Sequence, residues 1–133
     1  MIPDAGINKA RRALVSARLL LADGDTDGAC NRAYYAMFDT ATVALIATQP
    51  DIRPEMIRTH RGLIASFGQH LVTTGQVDIE LGRILNQVER IRLLADYTGE
   101  PIDIEKAIWA VDQADHFIRK LVVVIGAAEL DRG

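Results

Sequence analysis

Residues 104–125 read IEKAIWAVDQADHFIRKLVVVI, and the spacing of their apolar positions decides the fold. Ile104, Ala107, Ile108, Val111, Ala114, Ile118, Leu121 and Ile125 recur mostly at intervals of three and four, which puts their side chains on one stripe of an α-helix. A half-buried strand would alternate with a period of two, and no stretch of the chain does so. Glu100, Pro101 and Asp103 precede the stripe as a helix start signal. The apolar run Leu121–Ala128 closes it as a buried helix end, far short of the ~20 residues of a membrane span.

The same period extends back to the beginning of the chain. Asp78, with Glu80 just inside it, starts a helix whose stripe is Leu81, Ile84, Leu85, Val88, Ile91 and Ala95, and which ends near Tyr97 to Gly99. A first helix over about Asp4 to Ala22 carries Ala10, Leu14, Ala17 and Leu21 and stops at Gly24. Asp25 or Thr26 caps the second, which runs to about Thr48 and ends ahead of Pro50. Pro54 marks a short accessory helix leading into a third segment over about Arg61 to Thr73. With no repeat, linker or low-complexity tract, the expectation is a single all-α domain over residues 1–133. It is an antiparallel up-and-down four-helix bundle with a short accessory helix.

Composition narrows the function. A net charge of −3 argues against a surface that grips nucleic acid everywhere, although a local basic cleft is compatible with it. The single cysteine, Cys30, permits no intramolecular disulfide and no cysteine-based zinc site. It reads as a small helix residue. The polar start of the chain does not resemble a signal peptide, so the expectation is a cytoplasmic protein without membrane contact. No glutamate has a histidine three residues later, so the di-iron bundle pattern is missing and no metal or other cofactor is expected. Phosphate-binding glycine loops, dinucleotide fingerprints and nucleophile elbows are absent too.

Three groups of residues could carry chemistry. In NRAYYAMFDT, residues 31–40, Arg32 and Asp39 lie two helical turns apart on nearly one face, with Asn31 and Tyr35 on the same strip. Tyr34 and Phe38 form a second pair around the helix that could face the core. The strip is either a helix-surface ion network or a phosphate-handling pair, in which an arginine holds the anion and another group moves a proton. In RTHRG, residues 58–62, Arg58 and Arg61 bracket His60, which either opens a helix or adds a group that titrates near neutral pH to a basic patch. At the end of the fourth stripe, Asp96 opposes the helix dipole unless a cation such as Arg92 or Arg32 pairs with it, and Tyr97 follows. His70 and His116 read as exposed helix residues.

Taken in order, NRAYYAMFDTA (31–41), THRGLIASFGQHLVTTG (59–75) and RLLADY (92–97) resemble the HEPN family, and in particular its small stand-alone prokaryotic members often encoded beside a minimal nucleotidyltransferase. The resemblance implies a helical bundle that forms a homodimer with a polar cleft at or near the dimer interface. Many members are similar to metal-independent ribonucleases that act as toxins, using an arginine followed within two turns by a histidine. Arg32 matches that arginine, and the histidine position is Asp39 here. A free aspartate, with a pKa of about 3.9 against about 6.5 for histidine, is the weaker base.

The resemblance therefore implies three functions. One is a nucleotide- or RNA-binding component of a toxin–antitoxin-like system working with a nucleotidyltransferase partner, with Asn31, Tyr35, Arg61, Arg92, Asp96 and Tyr97 in the binding or interface network. Another is a metal-independent ribonuclease toxin, with Arg32 stabilising the phosphorane, Asp39 or His60 taking the 2′-hydroxyl proton, and Tyr35 or Tyr97 orienting the phosphate. The third is a non-catalytic structural dimer. Asp39 and the acidic net charge weigh toward the first.

Overall fold

Helix boundaries follow the local capping chemistry closely. The structure, a computed structural model, describes residues 4–132. Helix α1 (Asp4–Ala22) ends at Gly24, whose φ of 88° is left-handed and whose N–H donates to the Leu21 carbonyl at 3.1 Å. Helix α2 (Thr26–Thr48) begins at once, with the Asp25 carboxylate accepting the Gly28 N–H at 2.8 Å. So short a connection forces α1 and α2 antiparallel.

After α2 come a single 3₁₀ turn (Pro54–Met56) and the short helix α3 (His60–Phe67), which runs on as a π-helical segment over Gly68–Val72. Helix α4 (Ile79–Thr98) starts on the Asp78 cap and stops at left-handed Gly99, φ 72°. Helix α5 (Ile104–Arg132) is the last described element, and no strand occurs among the described residues. The four long helices α1, α2, α4 and α5 form the bundle, with α3 and the Pro54 turn as accessories. No described helix is long and apolar enough to cross a membrane.

Helix α2 is the centre of the assembly, packing on α1, α5, α4 and α3. It is apolar around most of its circumference, as a helix with neighbours on several sides must be. Ala29, Ala33, Ala36, Ala41, Ala44 and Ala47 are all buried along it, and their small side chains let the neighbouring helices approach closely. Cys30 is buried in the same helix. Desolvation, helped by the nearby Asp27 charge, pushes its thiol up to about 11. Asp27 also accepts the Ile102 N–H at 2.9 Å, pinning the α4–α5 connection to the start of α2.

The α5 stripe needs one correction. Ala107, Val111, Ala114, Ile118, Leu121 and Ile125 are buried as the spacing predicts, together with Ala110 and Phe117, but Ile104 and Ile108 are exposed. The buried face follows the side of α5 that meets α2, where Phe117 stacks on Phe67 of α3 at 5.5 Å between ring centroids. Periodicity alone admits both neighbouring stripes.

Candidate functional site

Three elements converge on the aromatic segment of α2. Helix α2 supplies Arg32, Tyr34, Tyr35, Phe38 and Asp39, the first residue of α3 supplies His60, and α4 supplies Glu89 and Arg92. His60 is held there because Thr59 caps α3, its hydroxyl accepting the Gly62 N–H at 2.9 Å.

The histidine ring is enclosed by aromatics and hydroxyls. Phe38 meets it edge-on at 5.2 Å, and Tyr34 and Tyr35 lie at 5.4 and 5.7 Å between centroids. The Tyr34 hydroxyl is 2.8 Å from Nδ1 and the Tyr35 hydroxyl 3.4 Å from Nε2. Tyr34 also donates to the Glu89 carboxylate at 3.0 Å. Desolvation, with the charge and hydrogen bond of Glu89, pushes the Tyr34 phenol well above the ordinary tyrosine range, so it keeps its proton.

Two guanidinium groups border this cluster. Arg92 lies over the Tyr34 ring at 4.7 Å and near that of Tyr35 at 5.8 Å, while Arg32 lies 6.0 Å from the Tyr35 ring. The Arg92 side chain is 11% exposed and its ion pair with Asp96 spans 3.7 Å. Its Nε is buried without a hydrogen-bond partner among the described residues. Asp39 sits at the far end of the strip, 3.9 Å from Lys9 of α1. Burial raises its pKa, while Lys9 and Arg32 work in the opposite direction.

The sequence-derived candidates thus divide. Arg32, Tyr35, His60 and Arg92 come together, and Asp96 pairs with Arg92 as its place near the helix end suggests. Asp39 shares the α2 strip with half-buried Asn31, while Arg61 is exposed beside His60. Tyr97 is 91% exposed and makes no contact with the histidine; it lines an open groove with Asn86, Arg90, Leu93, Leu94 and Glu89, the one member shared with the cluster. His116 is exposed as expected, whereas His70 is half-buried.

Tyr34 and Glu89 are the members that the sequence reading missed. Tyr34 is fully buried, in keeping with a core position, yet its hydroxyl belongs to the polar cluster. A signal was available: a buried tyrosine needs a partner for its hydroxyl, and Glu89 lies three residues from Arg92 on the same face of α4. No group of His, Cys, Asp and Glu side chains able to hold a metal occurs among the described residues.

The fold and the cluster define a class, a helical bundle with an arginine-flanked aromatic site between its second, third and fourth helices. More specifically, the HEPN domain profile matches residues 5–124, and the chain belongs to the HEPN family. It is 38% identical over 93 residues to a UPF0332 protein of Gloeobacter violaceus, covering 70% of each chain. A UPF0332 protein of Thermotoga maritima is 32% identical across 91% of this chain and 83% of its own. A Methanocaldococcus jannaschii protein bearing the name "Putative toxin MJ0605" is 31% identical across 86% of this chain and 82% of its own.

Proposed function

We propose that this HEPN-family chain is the nucleotide- or RNA-binding component of a toxin–antitoxin-like system, acting as a homodimer with a nucleotidyltransferase partner. The relation to proteins with toxin names supports the system-level part of the reading. The partner and the homodimer are what the family resemblance implies.

The observation that carries the binding role is Arg92. A buried N–H without a partner costs on the order of 1–3 kcal/mol, and the 3.7 Å pair with Asp96 is too long to be a hydrogen bond. An anion that draws the guanidinium toward itself recovers that cost. Arg32, 6.0 Å from the Tyr35 ring that Arg92 also approaches, adds a second bidentate donor. The rings of Tyr35 and Phe38, both half-buried, offer faces on which a base can stack.

Binding is favoured over cleavage because both ring nitrogens of His60, the candidate base inside the cluster, face tyrosine hydroxyls at 2.8 and 3.4 Å. With a fluorescent single-stranded oligoribonucleotide, anisotropy should report binding that weakens roughly ten-fold or more in Arg32→Ala and in Arg92→Ala, the loss of one charge-assisted contact. Labelled RNA should stay full length. Unchanged affinity in both variants would remove the assignment.

One observation favours the ribonuclease alternative. The Tyr35 contact at 3.4 Å is the looser of the two on His60, so a small movement of that phenol frees Nε2 to take a 2′-hydroxyl proton while Arg32 holds the phosphate. That activity would leave cyclic 2′,3′-phosphate ends. It would vanish in His60→Ala and survive in Asp39→Asn.

A further inference from the structure

The hydrogen-bond chain through Tyr34 has a direction. A tyrosine hydroxyl carries one proton, and Tyr34 gives its proton to Glu89 at 3.0 Å. At the 2.8 Å contact with His60 the phenol oxygen can therefore only accept, so the proton of that bond belongs to Nδ1. In a neutral imidazole the other nitrogen is then bare. Nε2 turns its lone pair toward the Tyr35 hydroxyl, which donates across the 3.4 Å gap.

We infer that Glu89 and Tyr34 are positioning residues that lock neutral His60 in its Nδ1–H tautomer, so that Nε2 presents a hydrogen-bond acceptor to the Arg32 and Tyr35 side of the site. The resistance of the Tyr34 phenol to ionisation keeps the chain intact, because a phenolate could no longer donate to Glu89.

The consequence for a ligand rests on the proposed function. A group that displaces the Tyr35 hydroxyl must itself donate a hydrogen, as a sugar hydroxyl or a base amino group does. While His60 is neutral, a phosphate oxygen, which only accepts, is disfavoured at that point by the bare nitrogen and left to Arg32 and Arg92. The histidine and the arginines thus sort one ligand into a hydrogen-donating part and an anionic part.

The lock can be tested without any ligand. Long-range proton–nitrogen correlation spectra of the uniformly ¹⁵N-labelled full chain, recorded above the ordinary histidine titration range, distinguish the two neutral tautomers by which nitrogen has the pyrrole-type shift. Comparison with His60→Ala assigns the signals among the three histidines. In the wild type, Nδ1 of His60 should be pyrrole-type and Nε2 pyridine-type. Tyr34→Phe removes the acceptor for Nδ1–H, and Glu89→Met frees the phenol to donate to Nδ1 instead. Each should move the tautomer ratio roughly five-fold or more toward Nε2–H, the worth of about one hydrogen bond.

A wild-type spectrum with the proton on Nε2, or a ratio that stays put in both variants, would overturn the inference. If Tyr34→Phe fails to fold, Glu89→Met decides. Because the readout is the free protein, a failure of RNA to bind would count against the proposed function and leave the tautomer assignment standing.

Discussion

Asp39 is where two opposed electrostatic influences meet. Desolvation raises its pKa, and Lys9 and Arg32 offset this only in part. A carboxyl whose folded pKa lies above its unfolded value binds its proton more tightly in the native state, so native stability falls as pH rises through the interval between the two values. At neutral pH the charge is therefore a cost. Asp39→Asn should stabilise the protein at pH 7 by less than about 1 kcal/mol, seen as a modestly higher thermal midpoint, since the 3.9 Å contact with largely exposed Lys9 contributes little. The gain should disappear below the ordinary carboxylate range, where wild-type Asp39 is protonated as well. Melting curves of both proteins across that range check the sign, and a lower midpoint at pH 7 in the variant would contradict it.

Among the elements, α3 is short yet fixes the histidine, because its first residue is His60 and its cap is Thr59. Thr59→Ala should cost about 1 kcal/mol in urea denaturation and broaden the His60 resonances as the first turn frays. Gly62 is constrained in the same turn: an added Cβ would lie 2.5 Å from the Met56 carbonyl oxygen and 2.8 Å from the Thr59 hydroxyl. Most such ends were legible in the sequence because capping is local; Asp25, Asp78, Gly24 and Gly99 each act on residues a few positions away, whereas the sequence reading starts the third helix only at about Arg61 and misses its Thr59 cap. The stripes of α1 and α4 were legible for the same reason, whereas in α5 the choice between two adjacent stripes depended on where Phe67 and α2 lie. The polar cluster was only half legible. Arg32, Tyr35, His60 and Arg92 stand out as residue types, but the bonds of Tyr34 join positions 26 and 55 residues apart. Its complete burial argues for a packing role until its partners are known.

At the scale of the whole molecule, charge and site pull in different directions. The chain carries a net charge of −3, so a polyanion is repelled at long range, and in the proposed site its attraction comes from Arg32 and Arg92, which lie 6.0 and 5.8 Å from the Tyr35 ring. That arrangement predicts a particular salt dependence. Each phosphate neutralised on a single strand contributes about −0.7 to the slope of log affinity against log salt concentration, so two arginines give a slope of about −1.4. A protein coated in basic residues would make many contacts and show a much steeper line. Anisotropy titrations between about 50 and 200 mM salt should return the shallow slope. Arg32→Ala should reduce its magnitude by about 0.7, and the double variant with Arg92→Ala should flatten it nearly completely. Losing affinity while keeping the wild-type slope would mean that Arg32 shapes the aromatic face and does not touch phosphate. The stacking rings of Tyr35 and Phe38 would then carry the binding, and the ligand class would shift from an anionic strand toward an uncharged base.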